Sequence, residues 1–181
     1  NNEANYSNML AYLGYEKDSY TVFAEVLRVE DDLNLANSLN RASINANRRQ
    51  SDADGDFTNL TTDAYRIGGD FALSDDWTLK AEYTDRATDS NGYAGFSGVW
   101  SGSTTVETLS PRLVGNIGIA GGDILVTSGI DLQESDYQSE YTGADSEQKL
   151  TDFYAQAIVP VAEKMNMTIG GRYSELKETD N

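Results

Sequence analysis

Tyr65-Arg66-Ile67-Gly68-Gly69-Asp70-Phe71-Ala72-Leu73 is followed, after Ser74-Asp75-Asp76, by Trp77-Thr78-Leu79-Lys80-Ala81-Glu82-Tyr83-Thr84. Odd positions of the first segment read Tyr, Ile, Gly, Phe, Leu and even ones Arg, Gly, Asp, Ala. The second segment sets Trp, Leu, Ala and Tyr against Thr, Lys, Glu and Thr. Successive strand side chains point to opposite faces, so each segment has one apolar and one polar face. The Ser-Asp-Asp between them is turn chemistry, and the two segments predict a β-hairpin.

Three further hairpins repeat the plan. Residues 5–15 and 20–30 join through Glu16-Lys17-Asp18-Ser19, 105–119 and 123–137 around Ala120-Gly121-Gly122, and 149–160 and 165–177 around Val161-Ala162-Glu163-Lys164. Eight strands result, most of them roughly 11–15 residues long, against about five or six in ordinary globular sheets. A strand tilted across a bilayer needs about 9–11 residues. Between hairpins the spacing predicts long polar loops at 31–62, 86–104 and 138–147, rich in Asp, Asn, Ser and Gly. Short turns at one rim and long loops at the other is the organisation of an outer-membrane barrel. Tyr6, Tyr12, Tyr15, Tyr20, Trp77, Tyr83, Tyr137, Tyr154 and Tyr173 fall mainly near strand ends, where an aromatic girdle would lie. The fold class expected is all-β, an antiparallel transmembrane barrel segment of about eight strands, with a soluble antiparallel sandwich as the alternative.

Composition narrows the chemistry. The chain has 181 residues, with 30 Asp+Glu against 13 Lys+Arg, a net charge of −17. That balance argues against a phosphate-binding nucleic-acid surface. With no His and no Cys, Ser-His-Asp triads, thiol nucleophiles, disulfides and imidazole- or thiolate-ligated zinc are excluded. Acid/base work by paired carboxylates is open by residue type, but no spacing singles out a pair. An enzyme is not expected. No apolar run is long enough for a transmembrane helix. The ending at Glu178-Thr179-Asp180-Asn181, directly after a strand-like segment, reads as a cut, so the chain is expected to be an internal piece of a longer barrel.

Asp52-Ala53-Asp54-Gly55-Asp56 gathers carboxylates of the kind hard cations prefer, making Asp52, Asp54 and Asp56 candidate calcium ligands, with Asp31-Asp32 joining if the loop folds back. Phe57 stands where an EF-hand loop would want glycine, and a solvated acidic loop is the plainer reading. Tyr93, Phe96 and Trp100 offer aromatic surface for a sugar or chelate. Arg41, Arg48 and Arg49 form a small basic cluster. Arg66, Asp70, Lys80, Glu82, Arg112, Asp131, Asp152, Gln156 and Arg172 lie on the polar faces, which a barrel turns inward because charge on the lipid face costs about 2–4 kcal/mol at the midplane. Gly68-Gly69 and Gly170-Gly171 sit inside strands, where glycine permits curvature or close approach.

Tyr12-Leu13-Gly14-Tyr15-Glu16-Lys17-Asp18 with Ala24-Glu25-Val26-Leu27-Arg28, Leu109-Ser110-Pro111-Arg112-Leu113 leading to Thr127-Ser128-Gly129-Ile130-Asp131, and Tyr154-Ala155-Gln156-Ala157 with Ile169-Gly170-Gly171-Arg172-Tyr173-Ser174 resemble barrel hairpins of TonB-dependent outer-membrane receptors. The resemblance implies a 22-stranded barrel around a plug domain that this chain lacks. It implies residence in the outer membrane of a Gram-negative bacterium and TonB coupling through parts outside this chain. The cargo implied is an iron-siderophore, cobalamin, haem or glycan. The readings set against it are a passive porin-like channel, a soluble calcium- or glycan-binding β-domain and a carboxylate-only hydrolase.

Overall fold

The computed structural model describes residues 4–35, 41–47, 55–95, 97–120, 122–162 and 164–180. Its elements are β1 (Ala4–Lys17), β2 (Tyr20–Asn34), the one-turn helix α1 (Arg41–Ala46), β3 (Phe57–Ala72), β4 (Trp77–Ala94), β5 (Gly98–Leu109), β6 (Arg112–Ile119), β7 (Gly122–Ser139), β8 (Ala144–Ala162) and β9 (Met165–Asp180). All strands join one antiparallel sheet in chain order. β5 and β6 share a single place in it: both lie between β4 and β7, and their registers are continuous, Leu109 facing Tyr83 and Leu132, Arg112 facing Lys80 and Gly129. Pro111 interrupts them because it has no N–H to donate. The ladder continues on either side of it through Ser110 N–H to the Glu82 carbonyl (2.9 Å) and Ile130 N–H to the Pro111 carbonyl (3.0 Å). The sheet therefore has the eight strand places that the alternation predicts.

Cross-strand partners share a face, so the registers sort every strand residue. Tyr65, Ile67, Phe71, Trp77 and Leu79 share theirs with Tyr15, Val22, Leu113, Val126, Ile130, Phe153, Met167, Ile169 and Tyr173. This face stays open: Ile67 is 59% and Tyr173 63% accessible, and Ala94 is the one buried hydrophobic residue among those described. Among the described residues no second sheet packs on it, which removes the sandwich. The opposite face carries Arg66, Asp70, Lys80, Glu82, Arg112, Asp131, Asp152, Gln156 and Arg172.

The apolar band runs obliquely to the hydrogen-bonded rows. The row through Tyr20 passes Phe71, Leu79, Leu113, Ser128 and Ala155 to Gly171, yet β9 begins well below it at Met165. Such a stagger is the shear of a tilted barrel wall. Among the described residues β1 pairs only with β2 and β9 only with β8, so both outer edges are open, as expected.

The expected loops are mostly strand. β4 continues to Ala94 and β5 starts at Gly98, leaving 95–97 where a loop at 86–104 was expected. The 138–147 loop shrinks to 140–143, and 31–62 to 35–56 around α1. Strands of 18 residues such as β4 and β7 extend roughly 60 Å along their path, well beyond a bilayer's needs. Past the apolar band both faces carry polar residues, so the alternation in polarity vanishes while the hydrogen-bond ladder persists. The aromatic girdle is corrected too: Tyr15, Tyr20, Trp77, Tyr83 and Tyr173 lie on the apolar face, but Tyr6, Tyr12, Tyr137 and Tyr154 lie on the polar one.

Four glycines each lie against the ring of the aromatic residue directly across the ladder: Gly68 and Phe23, Gly92 and Trp100, Gly115 and Trp77, Gly129 and Tyr154. A Cβ built at Gly92 would lie 2.6 Å from the Trp100 indole, and one at Gly129 2.6 Å from the Tyr154 ring. The ring covers the bare backbone and is held flat against it. Gly115→Val is expected to lower stability by about 1–3 kcal/mol through this clash, with Trp77→Leu recovering part of the loss. Guanidinium unfolding followed by far-UV circular dichroism measures both.

Candidate functional site

The polar face carries a belt of charge assembled from seven strands. On β2, β3 and β4, Arg66 reaches Glu25 (3.4 Å) and Glu82 (3.9 Å), and its guanidinium carbon lies 5.1 Å from the centre of the Phe23 ring. Asp70 and Lys80, direct cross-strand partners, form an ion pair. On β7, β8 and β9, Arg172 pairs with Asp152 and lies 3.8 Å from Asp131. Asp152 is only 1% accessible. Arg112 stands directly opposite Lys80 on β6 and has no ion pair among the described residues. A concavity of about 260 Å³ opens here, bounded by Asp70, Lys80, Glu82, Arg112, Asp131 and Tyr154.

This arrangement is a wet, mutually neutralised wall. Most of its groups are half exposed, where ion pairs contribute little stability. Asp152 differs, because burying a carboxylate without its cation leaves an uncompensated charge. The wall as a whole offers polar contacts along this face.

Of the other expected site residues, Asp56 lies where β3 begins, Tyr93 where β4 ends and Trp100 where β5 begins. Asp52, Asp54 and Phe96, with Arg48 and Arg49, lie outside the described residues. Asp56 is buried; its Oδ1 accepts the Gly95 N–H (3.0 Å) and its carbonyl accepts the Leu35 N–H (2.9 Å). Its carboxylate pins the 95–97 turn, and no group of three or more acidic side chains among the described residues is placed to hold a metal ion. Asp31 and Asp32 are successive strand residues and face opposite ways. Tyr93 and Trp100 are separated as well: Tyr93 faces Val99 on the apolar-face side, whereas Trp100 packs over Gly92 on the polar side. They form no common aromatic surface. Phe23, missed in the sequence, is an aromatic built into the charge belt; a lone Phe among Thr21 and Glu25 on a polar strand face was its signal.

Above the apolar band the outward face is charged. Lys149 bridges Glu134 (3.0 Å) and Glu147 (2.5 Å), and Arg28 bridges Glu30 (2.8 Å) and Asp63 (3.2 Å). The Lys149 ammonium, chiefly by hydrogen bonding, holds the Glu147 carboxyl below its ordinary range.

No protein-family model and no curated protein sequence matches this chain. Solved structures do. The ferric citrate transporter FecA in its unliganded form superposes with a TM-score of 0.83 at 14% identity, covering 99% of this chain and 30% of its own. The ferric-catecholate import receptor Fiu from E. coli K12, in its open form, gives 0.80 at 10% identity over 99% and 38%. The ferripyoverdine receptor of the Pseudomonas aeruginosa outer membrane gives 0.78 at 13% over 99% and 31%. The chain thus has the fold of a barrel segment of TonB-dependent outer-membrane receptors, and spans about a third of those receptors' length. These neighbours are transport receptors rather than enzymes.

Asp152→Asn is expected to cost about 1–3 kcal/mol by leaving Arg172 poorly paired, and Asp131→Asn much less; guanidinium midpoints compare them. Lys149→Met is expected to raise the Glu147 pKa towards the usual carboxylate value, read by carboxyl carbon NMR. Because that pKa is depressed in the folded wall, its stabilisation exists above the unfolded carboxylate pKa and is lost as pH falls through the folded one.

Proposed function

We propose that this chain forms part of the wall of an outer-membrane receptor that takes up a scarce nutrient with TonB-coupled energy. The single observation carrying the reading is the two-faced sheet: an oblique apolar band outside, a paired charge belt inside, and fold likeness over 99% of the chain to import receptors. Lipid surrounds the band, and the rim bearing 35–56, 95–97 and 140–143 faces the cell exterior. An iron-chelate is the cargo class favoured, because the similar structures are those of ferric citrate, ferric-catecholate and ferripyoverdine proteins.

The chain's lack of cysteine makes orientation directly testable. In intact cells a membrane-impermeant maleimide should label Asp89→Cys, on the extended rim, and should label Asp75→Cys, in the short β3–β4 turn, only after permeabilisation. Equal labelling of both would remove the membrane reading. Growth on ferric chelates as sole iron source, with and without TonB, tests the receptor role. TonB-independent passage with steady ionic conductance in planar bilayers would make the protein a passive channel.

A further inference from the structure

We infer that the apolar depression beside the β1–β2 turn, on the exterior face, holds an acyl chain of an anionic phospholipid whose phosphate pairs with Lys17. This rests on the membrane reading above and adds a lipid site to it. The depression encloses about 430 Å³. Its floor is made by Gly69 and Ala81, which face each other across β3 and β4, and its walls by Leu13, Val22, Ala24 and Ile67. Gly69 is confined to glycine because an added Cβ would strike the Thr21 carbonyl, so the hollow belongs to the backbone rather than to a missing side chain.

Towards the short-turn rim the hollow is bounded by a ladder of rings. Tyr15 and Tyr20 lie 5.9 Å apart, and Tyr20 stacks on Phe71 at 6.4 Å. Lys17 is the direct partner of Tyr20, on the same face and exposed. Its row lies two residues from the row of Gly69, about 7 Å along the strand. A phosphate at Lys17 therefore sits at headgroup depth while the chain attached to it enters the hollow. The remaining exterior-face cations of the described strands, Arg28, Lys149 and Lys177, each pair with a carboxylate. Lys17 alone among them has no carboxylate within ion-pair distance, although the chain as a whole carries −17 and repels anions. This local cation at the mouth of an apolar hollow selects an anionic lipid over a zwitterionic one.

Native mass spectrometry of the protein in mild detergent, titrated with phosphatidylglycerol or phosphatidylcholine of matched chains, reads the site. One lysine near a lipid phosphate should favour phosphatidylglycerol about fivefold. Lys17→Gln should abolish that preference, leaving the weaker binding of phosphatidylcholine. Ala81→Leu, which fills the floor, should remove binding of both lipids. Equal affinity for the two lipids in the wild type, or a preference that survives Lys17→Gln, would overturn the inference while leaving the membrane reading intact. So would a dimer lost in Ala81→Leu without any lipid adduct, which would give the hollow to a second copy. A protein that stays monodisperse in water without detergent would instead remove the membrane reading itself.

Discussion

Inside hydrocarbon a peptide group has no water to bond, and each unpaired N–H or C=O costs several kcal/mol. On the membrane reading proposed above, that constraint governs this chain more than any packing of side chains does. A wall one sheet thick gains no hydrophobic core, and the described residues contain a single buried apolar one. What holds the sheet is its ladder, continuous in register from β1 to β9 apart from a bulge near Pro160–Ala162. Even Pro111 is fitted into the ladder without a change of register.

Side chains then consolidate what the backbone organises. The four aromatic–glycine pairs let large rings lie against the sheet, where a Cβ would have forced them away. They recover, within a single layer, some of the close packing that a soluble domain finds in its core. On the polar face, Arg66 of β3 lies between Glu25 of β2 and Glu82 of β4, while Arg172 of β9 pairs with Asp152 of β8 and reaches towards Asp131 of β7. Either triad fixes register, because a slip of one residue would turn its members to opposite faces.

The spanning part of the fold was legible wherever the two faces met different solvents. Tyr65 to Thr84 announced its hairpin because apolar and polar residues alternate along it and so fall on opposite faces. Beyond Thr84 both faces are wet, and Asp85-Arg86-Ala87-Thr88-Asp89-Ser90 reads as a loop although it is regular strand. Polarity had stopped reporting the backbone, and only the threonines, favoured in strands, hinted at it. The lumen belt was legible as a set of residues on one face. Its pairings were not, because they depend on which strands adjoin and in what register. Tyr93 and Trp100 misled for a related reason: aromatic residues close in sequence were read as a patch, whereas the β4–β5 register pairs odd positions with odd and even with even, which puts the two on opposite faces.

The overshoot of the strands beyond the apolar band bears on recognition. Groups near that rim, such as Asp89, Asn91, Ser101 and Ser103, sit on paired strands and line a concavity of about 550 Å³ with Gln138 and Glu140. Fixing a loop residue's backbone on binding costs about 1–2 kcal/mol of conformational entropy. Here that entropy has already been given up during folding. A rim built of β-ladder can thus meet its ligand as a nearly rigid body, and specificity there depends on shape and on a few hydroxyls, amides and carboxylates whose positions are fixed in advance.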